Sequence, residues 1–132
     1  MNYDLLIEKA KEARERAYVK YSNFKVGAAL LAKSGKIYTG CNIENASYSA
    51  TICAERVAFT KAISEGETEF EAIAIVSSSD DITFPCGICR QFMSEFGLDL
   101  ELIFTDGDKI ETYILRELLP HAFTEFEAQG GC

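Results

Sequence analysis

Three cysteines constrain the fold of this chain more than any other feature of its sequence. Cys53 stands at the start of one predicted helix, "CAERVAFTKAISEG", and Cys86 and Cys89 lie in the first turn of another, "PCGICRQFMSEFG". The free N–H groups and the positive dipole at a helix start favour a thiolate over a thiol. Two helix starts that face each other would present three thiolates to one point. Zinc accepts such a set: three protein ligands plus water make an open, catalytic site, and four make a closed, structural one.

The rest of the chain alternates between predicted helices and strands. Apolar residues at helical spacing, from Leu6 to Ala17, predict a first helix over residues 4–17. The predicted strands are, in chain order, "KVGAALLA", "IYTGCNI", "EAIAIVS", "LELIF" and "KIETY", and "ILRELL" predicts a short last helix. This order predicts an α/β fold, a three-layer α/β/α arrangement with a mixed five-stranded sheet. We expect residues 1–132 to form a single domain, because their number matches the usual size of one.

Net charge and hydropathy limit the kinds of molecule that the protein is expected to bind. The net charge of −8 and the lack of a basic stretch argue against binding to polymeric DNA or RNA, which requires a basic surface. No apolar run approaches the ~20 residues of a membrane span. The first residues, "MNYDLLIEKAKEARER", are charged and contain no apolar signal core. We therefore expect no membrane partner and a cytoplasmic, reducing location, where cysteine clusters more often bind metal or do chemistry than form disulfides.

The C-x-x-C pair alone leaves several interpretations open. It is compatible with half of a structural four-cysteine site that Cys41 completes, with a redox pair, or with cysteines that serve as small core residues. Pro85 before the pair and the missing thioredoxin-like context argue against the redox pair. Glu55 favours catalysis, because a glutamate near a metal but not bound to it is placed to move protons. A favourable contact with the helix dipole would also explain a lone glutamate at this position.

These residues carry a family resemblance. "CAE" followed by "PCGIC" resembles the signature of the zinc-dependent nucleoside and nucleobase deaminases, in which a cysteine can replace the first histidine. The blocks "YSNFKVGAALL", "GCNIENASYS" and "ELLPHAF" extend the likeness, in the family's order, to the short homotetrameric cytidine deaminases. The resemblance implies hydrolysis of free cytidine and deoxycytidine to uridine and deoxyuridine with release of ammonia. It also implies one Zn²⁺ per chain and a homotetramer with sites at the subunit interfaces.

The resemblance implies a metal centre with two supporting residues. Its zinc ligands are Cys53, Cys86 and Cys89, and Glu55 is the general acid and base. Arg56 would hydrogen-bond the ligand sulfurs. Zinc with three thiolates has a formal charge of −1, which would hold a water proton more tightly than a neutral site would. We expect Arg56 to offset that charge by donating to the sulfurs.

The resemblance also implies substrate contacts. Phe24 would lie against the pyrimidine, and Asn42 and Glu44 would hold the ribose hydroxyls. The main chain of Ala54 would contact the base, and Phe123 would reach the site of a neighbouring subunit. Each of the side chains also has an ordinary structural explanation: a core aromatic for Phe24, a solvated strand end for Asn42 and Glu44, and a cover over its own core for Phe123.

Other functions stay open at this point. One is deamination of another small aminopyrimidine such as blasticidin S, against which "NIEN" argues because its polar side chains suit ribose hydroxyls. Another is a non-catalytic binding module held together by structural zinc, with Cys41 as the fourth ligand. A deaminase of polymeric RNA or DNA is disfavoured by the acidic charge balance.

Overall fold

The computed structural model describes residues 1–125 and contains one mixed five-stranded sheet. The strands are β1 (Val26–Ala32), β2 (Ile37–Cys41), β3 (Phe70–Ser77), β4 (Glu101–Thr105) and β5 (Ile110–Ile114). The helices are α1 (Tyr3–Arg14), α2 (Ala54–Ser64), α3 (Gly87–Ser94) and α4 (Leu115–Leu118), with a 3₁₀ turn at Tyr48–Ala50. The sheet order is β2-β1-β3-β4-β5, and β3 and β4 are its parallel neighbours. The predicted α/β fold with a mixed five-stranded sheet is therefore confirmed.

Helices cover both faces of the sheet. On one face α1 buries Leu6, Ile7 and Ala10 against the central strands. On the other face α2 and α3 bury Phe59 and Met93, which are fully inaccessible to solvent. Because both faces are covered, β3 is buried at nearly every position, as its continuous apolar run predicts. The result is the predicted α/β/α layering, with α2 and α3 side by side on one face.

Two glycines let the helices approach the sheet closely. A β-carbon at Gly27 would lie 2.0 Å from the carbonyl oxygen of Ala10 in α1. A β-carbon at Gly40 would lie 2.4 Å from the carbonyl oxygen of Ala54, the first residue of α2. Both separations are far inside van der Waals contact, so a larger residue would push the helix away. Gly40 thus fixes the start of α2 against β2. The candidate site lies at this end of α2.

The helix boundaries differ from the predicted ones by a few residues, and two of the differences have an identifiable structural cause. The first helix ends at Arg14 rather than at residue 17. Tyr18 pairs instead with the segment after β2: its N–H donates to the carbonyl of Asn42 and its carbonyl accepts from the N–H of Glu44. These long-range bonds turn the chain out of the helical path. Similarly, α3 begins at Gly87 because Cys86 has an extended backbone and caps the helix, so Pro85 precedes the cap.

In the part of the chain that the structure describes, none of the helices combines the length and the apolar character required to cross a bilayer.

Candidate metal centre and active site

The starts of α2 and α3 meet, and three cysteine sulfurs come together there. Cys53 is the N-cap of α2, Cys86 is the N-cap of α3, and Cys89 is the third residue of α3. The three sulfur atoms all lie within 4.8 Å of one another. The Sγ atoms of Cys53 and Cys86 are 3.8 Å apart. The structure thus brings together all three cysteines that the sequence analysis selected.

The donor set fits zinc. A tetrahedral zinc ion with Zn–S bonds of about 2.3 Å places its sulfur ligands about 3.8 Å apart, which is the separation of Cys53 and Cys86. Soft thiolates also favour zinc over the oxygen-seeking Mg²⁺ and Ca²⁺. Within residues 1–125 the cluster comprises these three cysteines and does not include Cys41, which lies at the end of β2. Cys132 lies outside the described residues. The arrangement therefore supplies three protein ligands and leaves a fourth position open to solvent or substrate.

The pKa shifts within the three-cysteine cluster also favour binding of a cation. The Cys89 thiol, followed by Arg56 and Cys86, lowers the pKa of Cys53 to about 5. The same interaction with Cys53, together with burial, raises the pKa of Cys89. One proton therefore leaves the cluster readily, while a second thiolate beside the first is disfavoured by like charge and burial. A bound divalent cation removes that penalty, so the cluster can reach the fully ionised state that metal ligands require.

Arg56 lies beside the sulfurs, as the resemblance implies. Its Nη2 atom is 3.5 Å from Sγ of Cys53 and 3.5 Å from the carbonyl oxygen of Thr51. Its Nε atom is buried and has no hydrogen-bond partner among the described residues. The guanidinium is thus held against the cluster, where its positive charge opposes the negative charge of the thiolates.

Glu55 is the second residue of α2 and is almost completely buried, with 4% of its surface exposed. Burial raises the pKa of Glu55 to about 7, and the neighbouring Cys53 charge adds to that effect. A role limited to the helix dipole would favour the ionised form and lower the pKa instead. A carboxyl group that titrates near neutrality is suited to accept and return a proton.

Main-chain pairing carries the candidate substrate residues to the start of α2. Ile43 pairs with Tyr18 on one side and with Ile52, which precedes Cys53, on the other. The side chain of Asn42 bonds to the loop before β1: its Oδ1 accepts from the N–H of Val26 (2.9 Å), and its Nδ2 donates to the carbonyl of Phe24 (2.8 Å). Asn42 therefore fixes the main chain on both sides of that loop.

Glu44 faces a cavity and is held by the loop at residues 21–22. Its Oε1 accepts from the N–H groups of Tyr21 (2.9 Å) and Ser22 (3.1 Å), and its Oε2 accepts from the Ser22 hydroxyl. These bonds, led by the Ser22 hydroxyl, lower the pKa of Glu44 and keep it ionised. Tyr48 and Thr51 complete the walls of the cavity, whose volume is about 360 Å³. Ser22 is not among the site residues predicted from the sequence, although a serine two residues before Phe24 has the spacing of a local serine turn.

The remaining candidate substrate-contact residues, Phe24, Phe123 and Ala54, differ in their exposure to solvent. Phe24 is 38% exposed, so it is not an ordinary core aromatic, and Phe123 is 55% exposed. The carbonyl of Phe123 accepts from Nε2 of Gln91 in α3 (2.7 Å), which places this residue near the helix that carries Cys89. Ala54 is fully buried as the first residue of α2. Its N–H belongs to the first turn, where the N–H groups have no partner within the helix.

Comparisons with known proteins agree with this geometry. A family model described as the cytidine and deoxycytidylate deaminase zinc-binding region matches residues 1–105. The chain belongs to this deaminase family. Its site therefore uses zinc, as the three-cysteine cluster indicates. The resemblance described from the sequence is confirmed at the level of the family and the fold.

Relatives of this deaminase match over nearly their whole length. A cytidine deaminase of Sporosarcina psychrophila is 50% identical over 128 residues, covering 95% of this chain and 93% of the relative. The crystal structure of a cytidine deaminase from Burkholderia pseudomallei superposes with a TM-score of 0.89 at 47% identity, covering 93% of this chain and 100% of that one. A blasticidin-S deaminase of Bacillus cereus is 30% identical over 128 residues, covering 89% and 91%.

Proposed function

We propose that this deaminase hydrolyses free cytidine and deoxycytidine to uridine and deoxyuridine and releases ammonia, with residues 1–132 acting as one deaminase domain. The observation that carries the proposal is the buried Glu55 beside three converging cysteine sulfurs. A structural zinc site has no use for an acid there, and Cys41 is not part of the cluster. The net charge of −8 favours a small nucleoside over a nucleic acid polymer. Thiolate ligands need a reducing setting, which supports a cytoplasmic location.

The chain's own residues account for the proton transfers. Cys53, Cys86 and Cys89 would hold the zinc ion, which would act as a Lewis acid and lower the pKa of water toward ~7. Glu55 accepts a proton from the water whose oxygen forms a bond to C4 of the cytosine ring, and it delivers that proton to N3. Glu55 then takes the remaining proton from the new hydroxyl on C4 and carries it to the amine on the same carbon. The C–N bond breaks, the C4 carbonyl of uracil forms, and ammonia leaves. Burial suits Glu55 to this exchange because it holds the pKa of the carboxyl near neutrality.

The neighbouring residues would orient the nucleoside. We infer that Glu44 accepts a hydrogen bond from a ribose hydroxyl and that Asn42 holds the loop before β1 and contacts the ribose. Phe24 would lie against the pyrimidine ring, and the main chain of Ala54 would contact the base. The exposure of Phe24 and the cavity beside Glu44 support these roles, since both leave room for a ligand.

The proposed substrate can be distinguished from blasticidin S by direct comparison. Both compounds present a cytosine, but blasticidin S carries no ribose to meet Glu44. A site built around a substrate hydroxyl discriminates strongly against a compound that lacks it. We expect kcat/KM for cytidine and deoxycytidine to exceed that for blasticidin S by roughly a hundredfold or more. A preference for blasticidin S would replace the proposed substrate while leaving the zinc chemistry in place.

Arg56→Gln should keep the fold and the zinc but lower turnover. The Arg56 guanidinium lies 3.5 Å from the Cys53 sulfur and opposes the charge of three thiolates. A hydrogen bond to a charged group contributes about 1.5–3 kcal/mol, so kcat should fall roughly tenfold to a hundredfold. The measurement is steady-state kinetics at equal zinc content, with thermal unfolding to show that the fold is retained. Wild-type turnover in the variant would contradict this role.

We further infer that the protein assembles as a homotetramer with sites at subunit interfaces. An open groove of about 570 Å³ lies next to the metal centre, and its walls include Ile52, Arg56, Ile88 and Phe92. Ile88 is 66% exposed and Ile52 is 40% exposed in this groove, and a contiguous exposed apolar patch is typical of an interaction surface. A second copy of the chain on this groove would also bring the exposed Phe123 near a neighbouring site. Sedimentation equilibrium should give four chains per particle, and a stable monomer at assay concentrations would contradict the assembly.

A further inference from the structure

Ser22 connects the two parts of the site that meet the sugar and the base. Its hydroxyl donates to Oε2 of Glu44 and accepts from the N–H of Phe24 at 3.0 Å. Its own N–H donates to Oε1 of Glu44. One small side chain thus contacts the residue proposed to hold the ribose and the main chain of the residue proposed to lie against the pyrimidine.

The backbone around Ser22 is shaped to make this bridge. Asn23 adopts a left-handed conformation with a φ of 59°. Asparagine tolerates that region better than most residues. The turn folds the N–H of Phe24 back onto the Ser22 hydroxyl, and Asn42 holds the carbonyl of Phe24 from the opposite side. The main chain of Phe24 is therefore fixed at both its N–H and its carbonyl.

The hydrogen bonds of Glu44 leave room for one more donor. An ionised carboxylate accepts about four hydrogen bonds through its two oxygens. Three of these sites are taken by the N–H groups of Tyr21 and Ser22 and by the Ser22 hydroxyl. The acceptor site that remains lies on Oε2, the oxygen that Ser22 orients. Losing the hydroxyl would let this oxygen turn toward solvent, while the two N–H groups still held Oε1.

We propose that Ser22 is a positioning residue that couples sugar recognition to base placement by fixing the Glu44 carboxylate relative to Phe24. The inference rests on the proposed function. It predicts that the Ser22 hydroxyl matters most when the substrate offers a ribose hydroxyl to Glu44. Ser22 itself makes no bond to the reacting atoms, so zinc content and the role of Glu55 stay unchanged.

The test compares Ser22→Ala with wild type on cytidine and on 2′,3′-dideoxycytidine, which lacks the 2′- and 3′-hydroxyls and keeps the 5′-hydroxyl. We expect kcat/KM to fall about tenfold for cytidine and no more than about threefold for dideoxycytidine. Inhibition constants of uridine and 2′,3′-dideoxyuridine, measured against cytidine, should show the same difference. Ser22→Thr retains the hydroxyl and should recover most of the cytidine activity.

The chain contains a matched control in Ser34, in the turn between β1 and β2. Its hydroxyl donates to Glu67 (2.5 Å) and accepts from the N–H of Lys36 (3.4 Å), so it has the same local pattern at the other end of β2. Ser34→Ala should leave both substrates unaffected. Equal losses on the two substrates, or a similar loss in Ser34→Ala, would overturn the inference. Wild-type protein that is inactive on both nucleosides would instead overturn the proposed function, and the inference with it.

Discussion

Glu55→Gln should reduce deamination of cytidine by roughly 10³-fold or more while leaving zinc at one ion per chain. The change keeps the shape of a side chain that is 4% exposed, so it creates neither a cavity nor an overpacked contact. It removes the group that takes the water proton and returns it to the pyrimidine. An amide cannot exchange protons in this way near neutral pH, so the loss should fall on kcat. The fold should be retained, because burying a neutral amide is less unfavourable than burying a charge.

A surface variant on the same helix provides the control for Glu55→Gln. Glu65 is exposed at the C-terminal end of α2, and Glu65→Gln removes the same charge far from the cysteines. It should retain wild-type turnover and zinc content. If Glu55→Gln kept more than about a tenth of wild-type activity with zinc bound, Glu55 would not be the general acid and base.

Loss of a metal ligand should have the second large effect, on both activity and stability. Cys53 and Cys86 cap α2 and α3, so a metal held by both links two helix starts. In Cys86→Ser a hydroxyl replaces a thiolate, and we expect zinc binding and activity to be lost together. Because metal binding contributes folding free energy, the melting temperature should fall by about 10 °C, which corresponds to a few kcal/mol. Zinc analysis with thermal unfolding measures both effects, and chelation of the wild type should reproduce them reversibly.

Cys41→Ser distinguishes an open site from a four-cysteine site. Cys41 lies at the end of β2 and is not part of the cluster in residues 1–125. Its replacement should leave zinc content and activity unchanged. X-ray absorption of the zinc-loaded protein should show three sulfur ligands and one lighter ligand. Four sulfur ligands, or loss of zinc in Cys41→Ser, would favour the structural module instead.

The chain order of helices and strands and the metal cluster were predictable because their signals are local. Apolar runs and helical spacing mark the alternating helices and strands. Cys53, Cys86 and Cys89 each lie near a helix start, and this placement does not depend on how the helices pack. The end of α1 was not predictable in the same way. It depends on the pairing of Tyr18 with Ile43, two segments that no local pattern connects.

The position of Glu55 shows a second limit of sequence analysis. Regular helical spacing would place residues 53 and 55 about 200° apart around the axis. In the structure Cys53 has an extended backbone as the N-cap, so its sulfur does not follow the helical direction. Both residues can then face the metal centre. The bridge from Ser22 to Glu44 escaped prediction for a related reason, because it joins two loops through side-chain geometry.

The most direct test of the account is the product balance of the zinc-loaded wild-type protein with cytidine. Ammonia release and the ultraviolet change that accompanies conversion to uridine should be followed in the same reaction. The account predicts catalytic turnover in which one ammonia appears for each uridine formed. Protein with zinc fully bound that releases no ammonia from cytidine or deoxycytidine would contradict it.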